Sequence, residues 1–283
     1  FYLHLPTDPD EFQPNDAPSP APISHWFLKD GANVDVNTFA VAWGWNGTSS
    51  YFSQFIDHRT ELMQDGVINI LGNPSDVNAY NLLPVANLPY GGSAFRYDNN
   101  SDKNILIHAL KDSGNFFWLG HSGGTTIMGD EKHSVLDSFD VETLLGNEAF
   151  RSSPKTPRAN KHPYYLTILD GCETYQPSWA GAFGVDFSAN GTSNSVADYN
   201  YVGRAPRAFV GWTNLVFLPT TSDFSGLAHA QYAEALGNLF GYWMAGYPLN
   251  YCMTGFSDDA IENGFTGADS WQISGCIDLE RGE

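Results

Sequence analysis

Five short apolar runs constrain this chain more than any other feature: Thr38-Phe-Ala-Val-Ala-Trp-Gly, Val67-Ile-Asn-Ile-Leu-Gly, Asn115-Phe-Phe-Trp-Leu-Gly, Tyr164-Tyr-Leu-Thr-Ile-Leu-Asp and Arg207-Ala-Phe-Val-Gly-Trp. Each is too short for a stable packed helix and too continuously apolar for a strand with one wet face. Each therefore reads as a strand covered on both sides. Segments of helical spacing lie between them. Ser50 is placed to cap a helix over 51–64, with Phe52, Phe55, Ile56 and Met63 on one face and Gly66 as its stop. Ser101 or Asp102 opens a second helix, to Lys111, and 140–150 and 178–183 read as two more. Residues 224–245 form a long one through Leu227, Ala230, Leu236, Phe240 and Trp243. Alternating strands and helices predict an α/β fold with a mostly parallel sheet flanked by helices.

The ends and connections are of a different composition. Residues 1–24 carry six prolines and no sustained period, so residues 1–32 read as an arm or linker before an α/β domain over 33–283. Residues 73–100 and 186–203 read as long loops, and 151–162 as a basic loop with Arg151, Lys155, Arg158 and Lys161. The 283 residues hold 32 acids and 13 bases, a formal charge of −19, which disfavours nucleic acid and anionic membranes as partners. No apolar run approaches the ~20 residues that cross a bilayer. Scarce lysine, abundant Asn, Gly, Ser and Thr, and the Asn46-Gly-Thr and Asn190-Gly-Thr sequences suit an extracytoplasmic protein. The absence of an initiator Met suits a piece of a longer precursor with neighbouring domains. Three cysteines leave at least one unpaired within the chain; Cys252 and Cys276 suit either a disulfide or two buried thiols.

In open α/β sheets, ligands bind beyond the carboxyl ends of the strands. Two of those ends carry reactive groups: Gly120-His121-Ser122-Gly123-Gly124 and Asp170-Gly171-Cys172-Glu173-Thr174. A thiol needs a base or cation beside it to act as a nucleophile near neutral pH, and an imidazole on a neighbouring strand tip supplies one. The 51 positions from His121 to Cys172 leave room for one crossover unit.

These segments resemble the caspase-like cysteine peptidases, nearer to the bacterial gingipain, clostripain and CHAT-type branches than to the animal enzymes. The residues that carry the resemblance are FFWLGHSGG at 116–124, YYLTILDGCET at 164–174, SWAGAFG at 178–184 and RAFVGW at 207–212, with a looser match at 270–279. The resemblance implies a strand ending in a His-Gly pair, a strand ending in the nucleophilic Cys, then a helix of small residues and another strand. It implies His121 as base or imidazolium partner and Cys172 as nucleophile in peptide-bond hydrolysis, with no cofactor. Backbone N–H groups at Cys172 and after His121, at Ser122 and Gly123, would hold the oxyanion. Glu173 would order the loop and, with the strand end at Gly211, Trp212 and Thr213, would line a substrate pocket. The family usually has Gly where this chain has Ser122. A basic P1 side chain would need a buried carboxylate, for which Asp170 and Asp223 are the candidates, while the global charge disfavours an acidic one.

Two other readings use the same residues. Gly120-His-Ser-Gly-Gly fits the G-x-S-x-G nucleophile elbow, which makes Ser122 the nucleophile of a serine hydrolase of α/β-hydrolase type. An elbow should open into a helix, and its His should follow a late strand; the late His here, His229, falls in a helical segment. The other is a catalytically inactive domain serving as a surface or assembly module. For metals, the eight scattered His residues show no H-E-x-x-H and no paired Cys spacing, so no metal site is assigned. Acid-rich loops at Asp198 and Asp258-Asp259 are the places for structural Ca²⁺.

Overall fold

The computed structural model describes residues 26–27, 33–34, 36–44, 67–73, 75–76, 79–83, 95–96, 100–120, 122–128, 135–147, 162–187, 195–201, 206–216 and 226–281. In chain order the elements are β1 (Trp26–Phe27), β2 (Asn33–Val34), β3 (Thr38–Gly44), α1 (helical over 67–71), β4 (Asn81–Leu83), β5 (Phe95–Arg96), α2 (Asn100–Asp112), β6 (Asn115–Gly120), β7 (Ser122–Gly123), β8 (Thr126–Met128), β9 (Val135–Asp137) and α3 (Ser138–Leu145). They continue with β10 (Leu166–Asp170), α4 (Pro177–Ala182), α5 (Val196–Tyr201), β11 (Ala208–Trp212), α6 (Gly226–Met244), α7 (Leu249–Glu262) and β12 (Trp271–Gly275).

The main sheet runs β12-β11-β10-β6-β3-β4, with β5 also on β3. Every pairing in it is parallel except that of β12 with β11. Alternate side chains enter opposite layers, as a pleated strand requires. Phe39, Val41, Phe117, Leu119, Leu166, Ile168 and Val210 face a layer built from α1, α6 and α7. Ala40, Ala42, Phe116, Trp118, Leu169 and Phe209 face α2, α3 and α4. Phe39, Phe116, Phe117, Trp118, Trp179, Trp212 and Trp243 are essentially fully buried, each contributing roughly 2–3 kcal/mol of burial. The chain is thus α/β, with a mostly parallel sheet between two helical layers.

Several local expectations need correction. Residues 67–71 are helical: Val67 and Leu71, four residues apart, are both fully buried, and Gly72 N–H donates to the Ile68 carbonyl. The loop at 73–100 contains edge strand β4 and the short β5. The third helix ends at Leu145, stopped by Gly146 in the left-handed region. The 186–203 loop contains α5, and α7 has no counterpart in the expectation. Apart from these corrections, β1 and β2 pair as an antiparallel ribbon, Trp26 opposite Val34. The helix at 51–64, Asn46 and Asn190 lie outside the described residues. Among the described residues, no helix is long and apolar enough to cross a membrane.

Candidate active site

The site sits where β6, β10 and β11 end together. β6 and β10 are in register to their last residues, Leu119 opposite Asp170, so the turns that follow start side by side. Gly171 is where they touch. A β-carbon there would lie 2.4 Å from Ser122 Oγ and 2.7 Å from the Gly120 carbonyl oxygen. Ser122 Oγ donates to the Cys172 carbonyl at 2.7 Å. The chain neighbours of His121 on both sides therefore abut the turn that carries Cys172; His121 itself lies outside the described residues.

On its other side the turn is joined to β11. The β10–β11 pairing stops at Ile168 opposite Val210, while β11 continues to Trp212 against β12. Residues 173–175 fill the gap. Trp212 N–H donates to Thr174 Oγ1 at 3.1 Å, and Tyr175 N–H to the Trp212 carbonyl at 2.9 Å. Glu173 N–H donates to the Asn214 carbonyl at 3.1 Å. Thr174 is fully buried, and its hydroxyl lies 2.6 Å from the Leu169 carbonyl and 3.1 Å from that of Gly171. Gly211 is required here, since a β-carbon would lie 2.8–2.9 Å from backbone atoms of Thr174 and Tyr175. Glu173 takes φ 55°, the left-handed region that a side-chain-bearing residue adopts at a cost.

Cys172 is half-buried, a free thiol with Sγ 3.7 Å from the Val216 carbonyl. Glu173 is exposed beside it and its carbonyl accepts from Gln176 Nε2. Ser122 and Gly123 form β7, which pairs antiparallel with β8, and β8 with β9. Trp179 Nε1 donates to the Gly124 carbonyl and pins this small sheet to α4. A hairpin in place of a helix after Ser122, a hydroxyl spent on a backbone carbonyl, and His229 inside α6 remove the nucleophile-elbow reading. Of the pocket residues, Thr213 is exposed and its hydroxyl donates to the Ser270 carbonyl. Trp212 turns its indole into the core, donating to the Ala268 carbonyl at 3.2 Å, so only its backbone is near the site.

Asp170 is the residue whose environment the sequence does not announce. It is 1% exposed, and Tyr232 of α6 donates to its Oδ2 at 2.5 Å, while Oδ1 has no hydrogen-bond partner among the described residues. Burial pushes its carboxyl up to about 7, with the Tyr232 bond opposing the rise. Burial, then the Asp170 charge, pushes the Tyr232 hydroxyl well above the usual range. Asp170 is therefore sealed against α6 rather than open to a pocket, and Asp223 lies outside the described residues.

Cys252 and Cys276 do not pair: they donate separately, to the Tyr247 carbonyl and to Asp278 Oδ1, and burial pushes the Cys252 thiol up. Asp198 accepts from the backbone and hydroxyl of Ser195, and Asp258-Asp259 lie within α7 rather than in a loop, with Asp259 accepting from Asn238. Among the described residues, no group of three or more His, Cys, Asp or Glu is placed to hold a metal.

No family model matches the chain, and no curated protein matches it. Among solved structures it is similar to caspase-1 from Spodoptera frugiperda, with TM-score 0.43 and 11% identity over 88% of this chain and 90% of that one. It is also similar to a secreted C11 cysteine protease from Bacteroides thetaiotaomicron in complex with an irreversible peptide inhibitor, with TM-score 0.30 and 13% identity over 71% of this chain and 54% of that one. Likenesses this distant transfer no residue role to Cys172 or its neighbours.

Proposed function

We propose that the chain is a cysteine peptidase in which Cys172 attacks the peptide carbonyl and His121 handles the proton. The observation that carries this reading is the contact between the two strand tips. Gly120 and Ser122, the chain neighbours of His121, pack against Gly171 and Cys172, which supports pairing the His-bearing and Cys-bearing strand ends. The thiol stands half-buried at the carboxyl end of a buried parallel strand, held by a turn bonded into the sheet, whereas the other two cysteines are buried. The order of motifs along the chain, His-bearing strand, Cys-bearing strand, small-residue helix and next strand, supports the same assignment.

In the mechanism, the thiolate adds to the carbonyl, the C–N bond breaks, and the imidazolium gives its proton to the leaving amine. Water then hydrolyses the thioester. Backbone N–H donors at Cys172, Ser122 and Gly123 are the candidates for the oxyanion, each worth roughly 3 kcal/mol when aligned. The chemistry needs no metal. An extracytoplasmic place of action belongs to the same reading and rests on composition. The test is cleavage of fluorescein-labelled casein. Activity lost in Cys172→Ala and in His121→Ala, with unchanged melting, supports the dyad; activity retained in Cys172→Ala ends the proposal.

A further inference from the structure

We propose that Ser122 is a positioning residue for Cys172: its hydroxyl braces the peptide unit on the carboxyl side of the nucleophile. The inference rests on the peptidase reading of Cys172. The Cys172–Glu173 peptide is held at both ends. Its carbonyl accepts from Ser122 Oγ at 2.7 Å, and its N–H donates to the Asn214 carbonyl at 3.1 Å. A trans peptide is planar with its C=O and N–H pointing in opposite directions, so two such bonds fix its rotation. That fixation matters because Glu173, the next residue, holds φ 55°, a conformation that an unbraced turn would relax by rotating this same peptide unit.

The brace also depends on Gly171, whose missing side chain gives the hydroxyl its path: a β-carbon there would come within 2.4 Å of Ser122 Oγ. Ser122 is only half-buried, so the bond is not forced by burial. The Gly that usually occupies this position in the family resembled would offer no hydroxyl. The brace is therefore a device of this chain's own sequence, tying the tip of β6 to the nucleophile turn between β10 and β11.

The experiment compares wild type, Ser122→Ala and Ser122→Thr with labelled casein, together with melting temperatures and site-resolved iodoacetamide alkylation of Cys172. The expected result is a fall of about tenfold in kcat for Ser122→Ala, the equivalent of one lost hydrogen bond to the peptide unit beside the thiol, with KM within about twofold. Ser122→Thr, which keeps the hydroxyl, should recover most of it. Wild-type kcat in Ser122→Ala overturns the proposal. So does an equal loss in both variants that follows their loss of melting temperature, since that is general destabilisation. A wild-type protein that leaves casein intact and whose Cys172 resists alkylation overturns the peptidase reading, and the brace's catalytic role falls with it.

Discussion

Replacing Gly171 by Ala tests the joint between the two strand tips directly. The backbone at this position has no left-handed φ, so alanine costs nothing in conformation and the whole effect is steric. The new methyl would sit 2.4 Å from Ser122 Oγ and 2.7 Å from the Gly120 carbonyl oxygen, well inside van der Waals contact. The Ser122 hydroxyl can rotate away, but then it releases the Cys172 carbonyl, a loss of about 1 kcal/mol. The Gly120 oxygen is backbone, and it can retreat only if the end of β6 parts from β10. Overpacking of this kind costs about 1–3 kcal/mol. Together the terms predict a loss of about 2–4 kcal/mol, or a fall of about 5–10 °C in melting temperature for a domain of this size. Calorimetry on the single and double variants separates the two contacts. Adding Ser122→Ala to Gly171→Ala removes the first contact and leaves the second, so the double variant should be more stable than the sum of the singles by about 1 kcal/mol. Melting of Gly171→Ala within about 1 °C of wild type would refute the close approach of the two strand tips.

Burial of Asp170 makes stability depend on pH. Its carboxyl is held protonated up to about 7 in the folded chain against 3.8 when free, so the native state binds the extra proton in that window and stability falls as pH rises through it. Asp170→Asn keeps an acceptor for Tyr232 without the charge. Urea midpoints should show the variant gaining on wild type between pH 4 and pH 8, by up to about 4 kcal/mol; parallel pH curves would exclude this account. Iodoacetamide at neutral pH, followed by peptide mapping, should label Cys172 in the folded protein and spare Cys252 and Cys276, both fully buried; equal labelling of all three contradicts the arrangement. Glu173→Gly should raise stability by about 0.5–1 kcal/mol and Glu173→Val should lower it, because only the first relieves the left-handed backbone. Identical denaturation curves for both would mean the strain is not there.

The sheet was legible because its strands are buried on both faces, which leaves a continuous apolar signal at β3, β6, β10 and β11. The same signal misleads at 67–71. A run of six with four apolar residues is compatible with either period, and only the packing of Val67 and Leu71 against the α6 and α7 layer decides for helix. The pattern of α7 was present: Leu249, Cys252, Met253, Phe256 and Ala260 recur at helical spacing and are buried. Strands of two or three residues, such as β4 and β7, carry no period of their own and exist through partners remote in the chain. At the site, the two strand ends that lie side by side, those of β6 and β10, were legible from the apolar runs. The wedge at 173–175, the Ser122 bond and the Asp170–Tyr232 pair were not, because each depends on an approach between residues 38 to 62 positions apart.

The insertion of residues 173–175 between the tips of β10 and β11 changes what kind of object the Cys172-bearing segment is. A connecting loop on a surface tolerates grafting, lengthening and repeated rounds of redesign, and its amides trade protons with solvent in moments. This one is spliced into the sheet: Trp212 and Tyr175 share their rungs across it, and Gly211 leaves no slack beneath it. Its amides should exchange on the clock of the central strands. Anyone hoping to re-engineer the surface by swapping that segment would be cutting into the framework, so changes are better sought on the solvent-facing walls around it.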